Sequence, residues 1–467
     1  MPECFTIYAD EVENRIDPHF YRPAFIQFYK QLEKTKFEFK TLGEITEKVT
    51  SGATPLSKGD AYTSKEEGIA FIRSGDINED KNINFDEVLH IKENIHDKLL
   101  KGSKLKKGDV LIAIVGATIG QISIYDYDKE ANINQAIALV RLKQEINPEY
   151  VKAFMISTLG QKQLDRIKRP VARANINLDE IRGIKIILPS LAIQNKIVAL
   201  MDNAYKEQKN KEEKTTDFLE SINDYIIKEL DLNFNKIGKK IFTTESNQIK
   251  NRLDPLYYSI DIFYFLDKPK YPFSTIGELS LSIKTGFPAG KNEQDLEGNG
   301  IIQIRPTNIS NDRRLIFRKN IFIKKEKKEV LKENLVQKGE ILFNNTNSQE
   351  LVGKTAFFDI LGDYFCSNHI TRINVDTKKV NPVYLTSLFN LYQLNNFFFR
   401  VCTNWNNQSG VNNNLLKTVK ILLPPLSIQN KIADEVKRRM QKAETLQKEA
   451  KEELEKAKRE VERIILS

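Results

Sequence analysis

LPSLAIQNKI at residues 188–197 returns as LPPLSIQNKI at residues 423–432. The two glutamines are offset by 429 − 194 = 235, about half of the 467-residue chain. Each copy follows a proline stop and opens a long, highly charged stretch. Repetition at this scale means two similar domains rather than a solenoid of small repeats. A tandem duplication gives one polypeptide the pseudo-symmetry of a dimer, a geometry suited to reading a long linear target at two places.

Outward from that decapeptide the duplication continues. Asn14-Arg15-Ile16-Asp17-Pro18 returns as Asn251-Arg252-Leu253-Asp254-Pro255, and TLGEI (41–45) as TIGEL (275–279). Ile72-Arg73 returns as Ile304-Arg305, KGDVL (107–111) as KGEIL (338–342), and NPEY (147–150) as NPVY (381–384). The offsets drift by a few residues, as loop insertions between matched elements produce.

The early part of each copy reads as mixed structure. VLIAIV (110–115), QISIY (121–125) and AIALVRL (136–142) are β-type runs bounded by Gly, Asn and Asp; their counterparts are ILFNN (341–345), KTAFF (354–358) and HITRINV (369–375). The proline of each NPxY predicts the start of a helix. The late part is helical. From Ile432, apolar residues recur at Val436, Ala443, Leu446, Ala450, Leu454, Ala457, Val461 and Ile464, without Gly or Pro. The first copy carries Ile197, Met201, Ala204, Thr215, Phe218, Ile222, Tyr225 and Ile226, with a polar middle KEQKNKEEK (206–214). Stripes this narrow need a partner helix, and each copy is the obvious partner of the other. Each helix of about 38 residues would span about 57 Å.

The expected architecture is therefore α+β: two tandem-duplicated globular domains separated by two long antiparallel coiled-coil helices, with pseudo-two-fold symmetry. The expected divisions are 1–190, a central helix within 191–235, a second domain 236–425 and a C-terminal helix 426–467.

Composition excludes several classes. Hydrophobic residues at 40% and charged residues at 29% fit a soluble protein, and no apolar run reaches a membrane span. The opening MPECFTIYADEVENR has no secretion-signal pattern. Three scattered cysteines and four histidines predict a reducing, cytoplasmic setting and no zinc centre. The net charge of +9 favours polyanion partners. Acids and bases nearly cancel in the C-terminal helix, so the excess lies mostly in the globular segments.

No catalytic signature stands out. Asp17-Pro18-His19-Phe20 and Asp254-Pro255-Leu256-Tyr257 echo the Asp-Pro-Pro-Tyr of amino-methyltransferases, but no Gly-rich methyl-donor turn accompanies them; a structural turn is the simpler reading. VGATIG (115–120) lacks the Gly-Lys-Ser/Thr of a phosphate loop.

The polar loops are more informative. Copy one has Ser51, Gly52 and Thr54, then Arg73 and Ser74, then Asn134 and Gln135, and a basic stretch from Lys162 containing Arg169 and Arg173. Copy two has Lys284 and Thr285, then Arg305, Thr307 and Asn308, then Asn345 and Asn347, and finally Asn404 and Asn406 around Trp405. Arg can fork onto guanine, Asn and Gln onto adenine, and Ser, Thr and backbone amides onto phosphate. Turn chemistry favours the same residues, so the argument is collective. The loops recur at matched places and differ in sequence, as two readers of different sequences would.

In duplicate and in order, the domain–LPxLxIQNKI–helix pattern with TLGEI/TIGEL, KGDVL/KGEIL and NPEY/NPVY resembles the specificity subunit of type I restriction–modification enzymes. The resemblance covers essentially the whole chain. It implies a non-catalytic subunit whose two target recognition domains read the halves of a bipartite double-stranded DNA site. It also implies helices that set the spacing and dock two methyltransferase subunits, joined by a nuclease–translocase. S-adenosylmethionine, ATP and Mg²⁺ would then be bound by those partners, and none by this chain. A stand-alone DNA adenine methyltransferase and a coiled-coil adaptor are the alternative readings.

Overall fold

The computed structural model describes residues 4–13, 15–56, 60–77, 83–169, 174–232, 270–405 and 408–466, together with Ile249 and Tyr257. Residues 251–255, the returning Asn-Arg-x-Asp-Pro motif, lie outside them, as do Arg173 and Asn406. The chain divides into two units, Met1–Glu212 with Gln447–Ser467, and Glu213–Leu446.

In the first unit, strands Thr46–Ser51, Ile137–Leu142, Asp109–Ala113 and Ile122–Tyr125 form an antiparallel sheet in that spatial order. A second sheet has the order Tyr62–Thr63, Leu89–Ile91, Ile69–Ile72 and Ala131–Ile133, and its last pair is parallel. The second unit repeats both. Ser280–Thr285, Ile370–Val375, Ile341–Asn344 and Thr355–Phe357 make the antiparallel sheet. Gln294–Asp295, Ile321–Ile323, Ile301–Ile304 and Tyr364–Cys366 make the mixed one, again ending on a parallel pair. Among the described residues the second unit alone has a three-stranded sheet, of Thr346–Asn347, Gln408–Gly410 and Thr403–Trp405.

The repeated motifs turn out to be joints. In NPxY, the Asn147 side chain accepts the Glu149 and Tyr150 amides, and Pro148 starts the helix Pro148–Ile156; Asn381 and Pro382 do the same for Pro382–Leu394. The tyrosine hydroxyls then reach the strands that end at the proline stops: Tyr150 donates to the Ile187 carbonyl at 2.5 Å and Tyr384 to the Leu422 carbonyl at 2.6 Å. In KGDVL, the buried Asp109 carboxylate takes Arg141 at 2.8 and 2.6 Å. In KGEIL, Glu340 takes Arg372 at 2.9 Å through both oxygens. In the decapeptide, the Gln194 amide donates to the Pro189 carbonyl at 2.9 Å and Gln429 to the Pro424 carbonyl at 2.8 Å, pinning the start of each long helix to the proline stop.

Those helices run Leu191–Leu230 and Leu426–Leu466, of 40 and 41 residues. Within the first unit, Ile197, Met201 and Ala204 share a core with Leu454, Ala457, Val461 and Ile465. Within the second, Ile222, Ile226 and Leu230 share one with Ile432 and Val436. Rising numbers on one helix meet falling numbers on the other, so the pairing is antiparallel. The second stripe ends on Ile465, fully buried four residues after Val461, with Ile464 half-buried and packed on the same core. The polar middle of the first helix also meets the opposing helix. Gln208 is buried, and Lys211 reaches Glu449 and Glu453 of the opposing helix at 3.6 and 3.3 Å. Among the described residues no helix is long and apolar enough to cross a membrane.

Candidate nucleic-acid interface

In the first unit three separate loops meet at one sheet edge. The Gly52 amide donates to the Asn134 carbonyl at 3.3 Å, the Asn134 amide to the Ile72 carbonyl at 3.0 Å, and the Ala136 amide to Asn134 Oδ1 at 3.1 Å. Thr54 Oγ1 donates to Gln135 Oε1. Ser51, Gly52, Thr54, Arg73, Ser74, Asn134 and Gln135 are thus brought together. The approach is close: a Cβ on Gly52 would lie 1.6 Å from the Ile133 carbonyl oxygen, so no larger residue fits.

The second unit builds a related junction. The Gly286 amide donates to the Ile370 carbonyl at 3.0 Å and the Ser367 amide to the Ile304 carbonyl at 2.9 Å, and a Cβ on Gly286 would lie 2.2 Å from the Cys366 carbonyl oxygen. Here the edge opens into two grooves. One, of about 460 Å³, is bordered by Thr285, Asn345, Thr403, Trp405, Asn412 and Asn414. The other, of about 610 Å³, is bordered by Gln303, Arg305, Thr307, Asn347, His369 and Gln408. Thr346 and Asn368 line both, so the grooves adjoin.

The equivalent arginines sit in unlike surroundings. Arg73 is forked onto Asp76, with Nε and Nη2 each 3.1 Å from a carboxylate oxygen, and its backbone amide donates to the same carboxylate at 2.8 Å. Asp76 holds the guanidinium pKa above its ordinary value by that hydrogen bonding. At Arg305 the turn is kept but the acid becomes an amide: the backbone donates to Asn308 Oδ1 at 2.9 Å. The Arg305 guanidinium has no hydrogen bond or ion pair among the described residues and borders the larger groove.

Other selected residues fall into four groups. Lys284 and Thr285 end an edge strand, and Thr285 accepts from Asn413 Nδ2 at 3.1 Å. Asn347 and Asn404 sit on the added sheet, Asn404 receiving the Ser409 hydroxyl at 2.6 Å. Asn308 and Asn345 are buried, and their amides hold the loops: Asn308 Nδ2 donates to the Ile316 carbonyl at 2.9 Å, and Asn345 Nδ2 to Thr371 Oγ1 at 2.9 Å. The basic stretch of copy one is largely neutralised within the chain. Arg166 is buried against Phe20 with Glu13 as its partner at 2.7 Å. Lys168 pairs with Asp165, and Arg169 forks onto Glu180 at 2.8 Å. The Asp17–Phe20 tetrapeptide is a turn, with Asp17 Oδ1 accepting the Phe20 amide at 3.3 Å. VGATIG is the connection between two strands, with Gly116 and Gly120 at φ of +79° and +91°.

Sequence reasoning passed over Asn368, His369 and the Asn412–Asn414 run. Register transfer finds the first of these: Ile133 pairs with Ile72 as Cys366 pairs with Ile304, so Asn134-Gln135 map onto Ser367-Asn368.

Two copies of one scaffold that present unlike polar loops at the same edge define a two-module recognition protein. The family model of the type I restriction modification DNA specificity domain matches residues 34–221 and again 263–456, and the chain belongs to that family. It is 31% identical over 159 residues to the EcoBI type I restriction enzyme specificity subunit of Escherichia coli, covering 34% of this chain and 33% of that protein. It is 28% identical over 152 residues to the putative MjaX specificity subunit of Methanocaldococcus jannaschii, covering 32% and 35%. These matches span about a third of each relative's length. The StySPI specificity subunit of Salmonella potsdam matches over 414 residues at 20% identity, covering 85% of this chain and 82% of that one. A chain from a structural study of complex assembly and conformational transition in the type I R-M system superposes with a TM-score of 0.52 at 16% identity, over 92% of this chain and 96% of that chain. At that identity the likeness is one of fold.

Proposed function

We propose that the chain selects the DNA sequence for a type I restriction–modification complex, each unit reading one half of a bipartite double-stranded site. In this reading residues 1–190 and 236–425 are the target recognition domains. The helical segments 191–235 and 426–467 set the gap between half-sites and dock two methyltransferase subunits, to which nuclease–translocase subunits add. Methyl transfer and ATP-driven cleavage, with S-adenosylmethionine, ATP and Mg²⁺, belong to those cytoplasmic partners, and this chain contributes sequence choice.

The observation that carries the reading is the repeated junction: the matched backbone bonds Asn134 N–H to Ile72 and Ser367 N–H to Ile304, and Ile137 N–H to Asn134 and Ile370 N–H to Ser367, hold loops of unlike chemistry. A small module discriminates only a few base pairs, each worth about 1–3 kcal/mol. Two modules on one chain approximately sum their discrimination and leave the interval unread. Footprinting of the complex assembled with its methyltransferase subunits tests this. Two protected, sequence-dependent segments flanking an unread gap are expected; a single contiguous read site would refute it.

A further inference from the structure

We propose that Trp405 is a stacking platform for one nucleobase of the half-site read by the second unit, and that this contact is made by stacking and not through phosphate charge. The inference rests on the DNA-reading proposal above and adds a contact mode to it.

Trp405 is the only tryptophan in the chain. It ends a strand that pairs with Gln408–Gly410, and its side chain is 48% exposed at the mouth of the 460 Å³ groove. The indole is placed, not loose. A Cβ on Gly410 would come within 2.6 Å of Trp405 Cη2 and 3.3 Å of Cζ3, so the tip of the ring lies against the glycine backbone. A half-exposed aromatic ring held at its tip offers π surface to a flat partner. The groove beside it carries amides and hydroxyls, among them Asn368, Asn414 and Thr403, suited to the hydrogen-bonding edge of a base. Charge is missing: residues 401–414, VCTNWNNQSGVNNN, contain no Lys, Arg, Asp or Glu. The corresponding segment of copy one, RIKRPVAR (166–173), has four basic residues, of which Arg169 already pairs with Glu180. An uncharged hairpin gains little from phosphates, whereas base–aromatic stacking requires no charge and tolerates many sequences. A base can stack on the ring only where the duplex stack opens, at an extruded base or a kinked step.

The test uses the full chain assembled with its methyltransferase subunits and a duplex carrying the sequence that the complex methylates. Dissociation constants are measured across a salt series for wild type, Trp405→Ala and Trp405→Phe. Trp405→Ala should weaken binding roughly 5- to 100-fold with an unchanged salt slope, and Trp405→Phe should stay within a few-fold of wild type. A phosphate contact would instead lower the slope by about one. A scan of single abasic positions should find one at which the abasic loss and Trp405→Ala are non-additive. Thermal unfolding of each variant verifies that this exposed site leaves the fold intact. Wild-type affinity for Trp405→Ala, a reduced slope, or additivity at every position overturns the stacking role. Absence of salt-dependent binding by the wild-type complex overturns the DNA-reading proposal itself.

Discussion

Arg372 and Glu340 supply the sharpest stability test, because both are about 95% buried and each is the other's charge partner. Arg372→Met leaves Glu340 as an uncompensated carboxylate in the core of the second unit, which costs about 3–5 kcal/mol. The Arg372→Met/Glu340→Leu double variant removes both charges at similar volume. It should regain most of that loss, short of about 1 kcal/mol for the Gln337 amide that donates to Glu340 at 2.9 Å. Urea unfolding followed by the emission of Trp405 reports this unit alone, since the chain has one tryptophan. At a slope of about 2 kcal/mol per molar, the single variant should lower the midpoint by about 1.5–2.5 M. Equal losses in the single and double variants would refute the reasoning. Asp109 and Arg141 repeat the pair in the first unit and should behave alike.

Arg305→Ala should weaken DNA binding by the assembled complex about 10- to 100-fold, and Arg73→Ala by less, because Arg73 would first have to leave Asp76; fluorescence anisotropy compares them. Arg438 and Arg439 hydrogen-bond Glu435 and push its carboxyl pKa down from 4.5 to about 2. A depressed carboxyl stabilises above its unfolded value, so this contribution should fade as pH falls from about 4.5 to about 2. Glu435→Gln should flatten that part of the stability–pH curve measured by thermal melts. It should also loosen the Arg439 bond to the Ser221 carbonyl, now 2.6 Å, on the facing helix. Under the spacer role, removing seven residues at matched heights from both long helices shortens each by about 10 Å. The unread gap should then contract by about three base pairs with both half-sites unchanged, as read by methylation mapping.

The scaffold was legible because it is written twice. NPxY, KGD/E and LPxLxIQNKI recur since each is a joint whose geometry admits few residues: a capping Asn with Pro at the first turn, a buried acid for a strand arginine, a glutamine bonding the carbonyl of the proline stop. The narrow helical stripes likewise announced a partner helix, although a period between 3.5 and 3.6 left Ile464 and Ile465 unresolved by pattern alone. The loops were less legible. Asn308 and Asn345 look like readers in sequence, yet their amides are turned inward, because a polar loop needs internal hydrogen bonds to hold its shape. Arg166 and Arg169 look like a basic patch, but Glu13 and Glu180, distant in sequence or lying past a turn, neutralise them. The added sheet of the second unit was unreadable because two-to-three-residue strands rich in Asn and Thr carry no periodic signal.

The central claim is tested most directly by sequencing the sites methylated by the reconstituted complex, with residues 1–190 native or exchanged for those of a homologue. The account predicts a bipartite motif with an unread interval, of which the exchange changes one half and leaves the other intact. A contiguous motif, or an exchange that alters both halves at once, would contradict it.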